Sequence, residues 1–284
     1  VKNADLRFIM LSVLFGILSH LSRAYRWKFM LAPLGYKPRF VNTILAVLIA
    51  YLANLGIPRS GEILRATTLS SYEKIPFEKS FGTIIAERLV DLIFLLSFIF
   101  LALILQYDLI WQVLKEKQIS LSTIIAAAVI AMTTFICLKF LFENNHSKPI
   151  KRIKTFLKGL GEGILSFKSM TNKGAFLLHT VFIWIMYVAM FYVIKWTVPE
   201  VENLGLSALL PAFVIGGLTI SATNGGIGIY PFSVALMLSA FGISNESGLA
   251  FGWIVWTSQT LMIILFGSLS FFVLPLVNHK KNNL

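Results

Sequence analysis

The chain has 284 residues, of which 57% are hydrophobic and 13% charged, about half the charged share of an ordinary soluble domain. A mean hydropathy of +0.78, with apolar runs repeated along its whole length, excludes a soluble globular enzyme, a disordered protein and a nucleic-acid-binding domain. The net charge of +12 arises from Lys and Arg lying between apolar runs, where loops facing an anionic leaflet carry them, so no nucleic-acid partner is expected.

A helix needs about 20 apolar residues to cross about 30 Å of hydrocarbon. Eight stretches approach that length: 6–22, 41–57, 82–105, 120–142, 174–198, 204–223, 227–241 and 249–277. The chain opens on Val1 rather than Met, which leads to the expectation that a further membrane helix precedes 6–22. Residues 23–39 carry Arg23, Arg26, Lys28, Lys37 and Arg39 without an acid, and read as a cytoplasmic loop. The 41–57 run breaks at Asn54-Leu-Gly-Ile-Pro58. Residues 139–173 hold eight bases against Glu143 and Glu162, and also read as cytoplasmic.

If 41–57, 82–105 and 120–142 all crossed, these two basic loops would lie on opposite sides of the membrane. A re-entrant hairpin over 41 to about 72 restores the positive-inside bias. Glu200, Glu202 and Glu246 then fall outside, and Lys280 and Lys281 inside. On this scheme 204–241, broken at Thr223-Asn-Gly-Gly-Ile-Gly228, enters from the outer face, either as a re-entrant hairpin or as two tightly turned short helices. The expected fold is thus an all-α polytopic membrane bundle, one domain over 1–284, with two broken hairpins in an inverted-repeat arrangement. The alternative is that Gly and Pro merely ease packing within ordinary spanning helices.

Charges inside apolar sequence mark the candidate site. Past the first break, Pro58-Arg-Ser-Gly61-Glu62-Ile-Leu-Arg65 puts Arg59, Glu62 and Arg65 on one side of a returning half-helix. Glu87, Arg88 and Asp91 follow, with Glu87 and Asp91 at i, i+4 on one face. In a helix starting at Ser80, Glu87 lies about 10 Å in. A charge at mid-membrane costs about 2.5–3.5 kcal/mol, and a large apolar residue returns about 0.3–0.6, so these charges must be paired and turned inward. The expectation is that Arg59 and Arg65 contact Glu87 and Asp91, while Arg88 or a spare Arg faces a ligand. Two readings compete: an ion network that pins the hairpin, and an anion-binding vestibule open to the cytoplasm. Asn224-Gly225-Gly226-Ile-Gly228-Ile-Tyr230-Pro231 offers either backbone N–H groups that cradle a phosphate or a tight interhelical turn.

In the basic connector 143–173, Ile150, Ile153, Leu157, Leu160, Ile164 and Phe167 recur at helical spacing among Lys151, Arg152, Lys154, Lys158 and Lys168. That pattern suits an amphipathic surface helix or a plain connector. Trp27, Trp184, Trp196 and Trp253 read as interfacial anchors. Cys137 is the only cysteine, the four His are scattered, and no hydrolase, zincin or kinase motif is present, so neither metal, cofactor nor catalytic residue is expected.

Arg23-Ala-Tyr-Arg26-Trp27, the segment from Asn54 through Arg65, Glu87-Arg88-Leu-Val-Asp91 and Gly225-Gly-Ile-Gly228 together resemble the membrane domain of lysylphosphatidylglycerol synthases, also found as stand-alone flippase-like proteins. The resemblance spans nearly the whole chain. It implies a lipid-translocating domain in the cytoplasmic membrane of a prokaryote, with membrane lipids, anionic ones above all, as partners, and it adds Arg23 and Arg26 to the candidate substrate contacts. Tyr230-Pro231 stands where the family often has Arg-Glu. The aminoacyl-transferase domain of the full synthases is absent, so synthase activity is not implied. The reading is a flippase or transporter for a phospholipid or polyprenyl-phosphate lipid; the alternative is a non-catalytic membrane scaffold for a separately encoded lipid-modifying enzyme.

Overall fold

The structure, a computed structural model, describes residues 5–107 and 158–279, apart from 160 and 164. The expected crossing at 120–142, Cys137 and most of the basic connector lie outside the described residues. Within the described residues the fold is all-helical, without strands. The helices are α1 (Leu6–Leu31), α2 (Phe40–Gly56), α3 (Ser60–Glu73), α4 (Phe77–Leu105), α5 (Lys173–Tyr192), α6 (Pro199–Glu202), α7 (Leu206–Ala222), α8 (Ile229–Ser239) and α9 (Asn245–Asn278). Short 3₁₀ turns, Ala32–Leu34 and Val193–Thr197, extend α1 and α5. Among the described residues, four helices are long and apolar enough to cross a membrane: Leu6–Leu34, Phe77–Leu105, Lys173–Thr197 and Asn245–Asn278.

Two boundaries depart from the sequence reading in ways that matter for the site. Residues 23–31 continue α1 instead of forming a loop, so Arg23 and Arg26 sit in its last turns and are buried. Charge alone made them look solvated; inward pairing lets the helix carry them. α4 starts at Phe77, behind Pro76 and with Glu78 in its first turn, rather than at Ser80. Glu87 is therefore about 15 Å along its helix, not about 10 Å.

Helix ends gather into two layers. Arg39, Lys74, Lys79, Lys168 and Lys173 mark one end of the bundle, where α1, α3 and α9 finish and α2, α4 and α5 start. There Asn42 and Asn278 exchange amide hydrogen bonds of 3.0 and 2.9 Å, tying the start of α2 to the end of α9. The described connector residues pack at the same end: Lys79 Nζ is 3.2 Å from Glu162, and a Cβ on Gly163 would meet Gly82 Cα at 2.6 Å. The opposite end holds Glu200, Glu202 and Glu246. Ser244 N donates to Glu200 there, and Gln106 Nε2 ties the end of α4 to Ser207 at the start of α7.

α2–α3 and α7–α8 form two helical hairpins. The arms are 17 and 14 residues in the first, 17 and 11 in the second, so α3 and α8 reach only about 21 and 16 Å. The first hairpin has its base at the basic end, the second at the acidic end. Their tips touch: Asn224 Nδ2 donates to Gly56 O at 3.3 Å, and Gly225 packs on Leu55.

α9, 34 residues long, serves as the common wall. Gly248 and Gly252 press on Ala235 and Pro231 of α8, and Gly267 presses on Leu52 of α2. Small residues at four-residue spacing let helices approach closely where lipid supplies no hydrophobic drive. Of the expected interfacial tryptophans, Trp196 and Trp253 are exposed, but Trp27 and Trp184 are buried. Trp27 donates to Thr83 Oγ1, and Trp184 stacks on Phe98, so both belong to interhelical packing.

A Cβ at Gly252 would lie 2.7 Å from Pro231 Cα, a backbone atom that cannot yield. Gly252→Leu is expected to lower stability by about 1–3 kcal/mol, read as a reduced thermal midpoint in detergent. Gly217→Ala, with open space around the added methyl, should leave that midpoint unchanged or slightly raised.

Candidate functional site

Glu87 and Asp91 face α1, which presents Arg23 and Arg26 at i, i+3 on one side. Glu87 Oε1 accepts from Arg23 Nη1 at 2.7 Å and Arg26 Nη2 at 2.8 Å, while Oε2 accepts from Arg65 Nη2 at 2.8 Å. Asp91 Oδ2 accepts from Arg23 Nη1 at 2.7 Å, and Oδ1 from Arg26 Nη1 at 2.9 Å. Glu87 and Arg26 have no solvent exposure. Flanking groups fix the guanidinium planes. Arg26 donates to Thr180 and lies over the Phe176 ring; Arg65 stands 3.9 Å above the Trp27 ring; Arg23 Nη2 donates to Tyr187, whose hydroxyl meets that of Tyr51 at 3.1 Å. Planar forks matched to carboxylates, with aromatic faces behind them, suit Arg and not Lys.

The expected partnership is half right. Arg65 does reach Glu87, but Arg59 reaches neither acid: it is exposed at the tip of the first hairpin with φ 60°, and no ion pair engages it among the described residues. Its place is taken by Arg23 and Arg26, because α1 and α4 pack antiparallel and bring their polar turns level. Arg88 is also not spare. Its Nη2 pairs with Glu62 Oε1 at 3.0 Å, at the partly exposed margin of the cluster. Four cations therefore meet three anions, and one positive charge is unbalanced, where the sequence reading had a neutral set.

Beside the cluster lies a small open pocket lined by Arg23, Val47, Ala50, Tyr51, Asn54, Glu62, Arg65 and Arg88, with free room for about one water molecule. Arg23 Nε, Arg65 Nε, Arg88 Nε and Glu62 Oε2 are buried there without hydrogen-bond partners. Unpaired buried polar atoms are costly in a low-dielectric interior, and four of the eight such side-chain atoms among the described residues belong to residues that line this pocket.

The break motifs have local work. Asn54 Oδ1 accepts from Gly61 N at 2.8 Å, so α2 caps the first turn of α3. Gly61 has no room for a Cβ, which would collide with the Ala50 carbonyl. Pro58 is exposed at the tip. In the second loop Gly225, Gly226 and Gly228 have φ of 62°, 79° and 75°, a course that favours glycine. Its N–H groups are largely taken. Gly225 N donates to Thr223 O, Gly226 N to Thr223 Oγ1 and Ile227 N to Asn224 O, while Trp256 Nε1 holds Gly225 O at 2.8 Å. These bonds are those of a tight interhelical turn. Tyr230 is buried, its ring packed on Gly216 of α7 rather than in the pocket.

Sequence reasoning missed Tyr51, Thr180 and Tyr187. Their only signal was a polar atom inside an apolar run, and which of many such residues face inward depends on helix rotation. Among the described residues no His, Cys, Asp and Glu gather as metal ligands.

A family model described as the lysylphosphatidylglycerol synthase TM region matches residues 1–267. The chain belongs to this family. It is 25% identical over 285 residues to a UPF0104 membrane protein of Methanocaldococcus jannaschii, covering 94% of this chain and 76% of that protein. A UPF0104 membrane protein of Pyrococcus horikoshii is 33% identical over 148 residues, covering 49% and 42%. No solved structure matches the chain. The membership expected from the arginine, Glu-Arg-x-x-Asp and glycine motifs of the lysylphosphatidylglycerol synthase TM region is thus established.

Glu87→Gln leaves three guanidinium groups facing a neutral amide, and breaking one partner of a buried ionic set costs about 3–5 kcal/mol. The expected result is a large fall in thermal midpoint in detergent. Arg59→Gln, at the exposed hairpin tip, should change stability by less than about 0.5 kcal/mol.

Proposed function

We propose that this protein of the lysylphosphatidylglycerol synthase TM-region family binds a lipid with an anionic headgroup and moves it between leaflets, the headgroup entering between the two hairpins while the tails stay in the bilayer. The observation that carries this reading is the unbalanced positive charge on buried arginines beside a pocket with unsatisfied polar atoms. Burying an uncompensated cation is expensive, and an anionic ligand removes that penalty. In this reading both hairpins are re-entrant and related as an inverted repeat: their short arms, bases at opposite ends and touching tips suit a site near the midplane. The basic end faces the cytoplasm and the membrane is the cytoplasmic membrane of a prokaryote, in line with positive-inside bias and the organisms of the relatives. The chain acts as a carrier without catalysis of its own.

A second reading, a membrane scaffold for a lipid-modifying enzyme, is favoured by one fact. Arg23, Arg26, Glu87 and Asp91 largely satisfy one another, as a structural pin between α1 and α4 would.

Reconstitution in liposomes with a panel of fluorescent lipids separates the two. Faster dithionite bleaching of inner-leaflet anionic lipid than in protein-free vesicles supports transport; folded protein that moves no lipid in the panel leaves the scaffold. For sidedness, Lys37→Cys should label only from the cytoplasmic side and Glu246→Cys only from outside in intact cells, with Cys137 replaced by Ser. The reverse pattern would invert the orientation.

A further inference from the structure

The ion cluster divides into a saturated part and a displaceable part. Glu87 has partners on both oxygens and Asp91 on both, supplied by buried arginines, with Arg88 Nη1 a further 3.9 Å from Asp91 Oδ2. Glu62 differs. Only Oε1 is engaged, by Arg88 at 3.0 Å, while Oε2 is buried without a partner; Arg88 Nε is likewise unpartnered, and its side chain is 41% exposed. Both residues line the pocket, facing Arg23 and Arg65, whose Nε atoms are buried and empty-handed too.

We propose that Glu62 is an internal stand-in for the ligand: its carboxylate occupies Arg88 until a singly charged phosphodiester displaces it and binds Arg88 at the pocket mouth. The inference rests on reading this pocket as the headgroup site and names the chemistry that fits it. With Glu62 ionised, the cluster exceeds neutrality by one positive charge, so a phosphodiester monoanion brings the buried set to balance. A phosphomonoester, whose second ionisation falls near pH 6, carries nearly two charges at pH 7.5 and overshoots. The diester's two free oxygens match the guanidinium fork that Glu62 releases. Tyr51 and Asn54 at the pocket wall supply neutral polar contacts.

A salt bridge that only holds the fold would weaken when either partner is removed. A stand-in predicts opposite signs. Binding of soluble glycerophosphoglycerol and of glycerol 3-phosphate to the detergent-purified full chain at pH 7.5 is measured by calorimetry, with thermal midpoints as the check on folding. Wild type should prefer the diester. Glu62→Gln, which removes the competitor, should bind the diester about two- to fivefold tighter and lose selectivity against the monoester. Arg88→Gln should weaken the diester by about tenfold or more. If Glu62→Gln fails to fold, Glu62→Asp, which keeps the charge but shortens its reach, should show the same gain. The inference is overturned if both substitutions weaken binding, if neither changes it, or if wild type prefers the monoester. Phosphatidylglycerol in nanodiscs that competes with the soluble diester assigns the site to a lipid headgroup. Soluble binding without competition assigns it to a free phosphodiester and removes the transport reading while leaving the stand-in intact. Lipid movement with the wrong signs at Glu62 and Arg88 does the reverse.

Discussion

One carboxylate organises this molecule. Glu87 accepts hydrogen bonds from arginines on two other helices, Arg23 and Arg26 on α1 and Arg65 on α3, and so gathers a spanning helix and a hairpin arm onto α4. In a bilayer, apolar burial gives little reason for helices to choose one rotation over another, since lipid tails are as apolar as their neighbours. Charges that must find partners supply that choice. The rotation of α1 follows from aiming Arg23 and Arg26 at α4, and the lean of α3 follows from Arg65, which is further held over the Trp27 ring.

Around this ionic centre, glycine and amide contacts set distances. Gly248, Gly252 and Gly267 bring α9 against α8 and α2, the Asn42–Asn278 pair closes the basic end, and the Asn224–Gly56 contact joins the hairpin tips. Most of these positions have no chemistry of their own. They hold the pocket at the margin of the cluster, where pairing is incomplete. Within this one set of charges the interior carboxylates, Glu87 and Asp91, have partners on both oxygens, while at the outer pair Glu62 Oε2 and Arg88 Nε are left without one.

The motifs that marked the family did not all mark the site. Gly61 serves the helix-to-helix crossing, where Asn54, itself on the pocket wall, accepts from its N–H, and Gly225 and Gly226 form a turn in which their own N–H groups are engaged by Thr223. Glu87, Asp91 and Arg65 belong to the cluster, as their positions in apolar sequence implied. Arg59, which shares a helical face with Glu62 and Arg65 in the sequence, is left at the tip because it precedes the first turn of α3 and takes a left-handed backbone instead of a helical one.

By itself the sequence determined the class of molecule, the approximate location of its membrane-length helices, the two breaks and the family, because hydropathy, Gly/Pro punctuation and contiguous motifs are local properties of a chain. It also determined that Glu87 and Asp91 share a face, since i, i+4 spacing on a helix leaves no other arrangement. Partner choice was decided only by tertiary structure. Which arginines answer those acids depends on how α1 and α3 rotate and slide against α4, and on α1 continuing through a basic segment that composition marks as a loop. The same holds for the charge balance: replacing Arg59 by Arg23 and Arg26 turns a neutral set into one with an uncompensated cation, and no local pattern records that count.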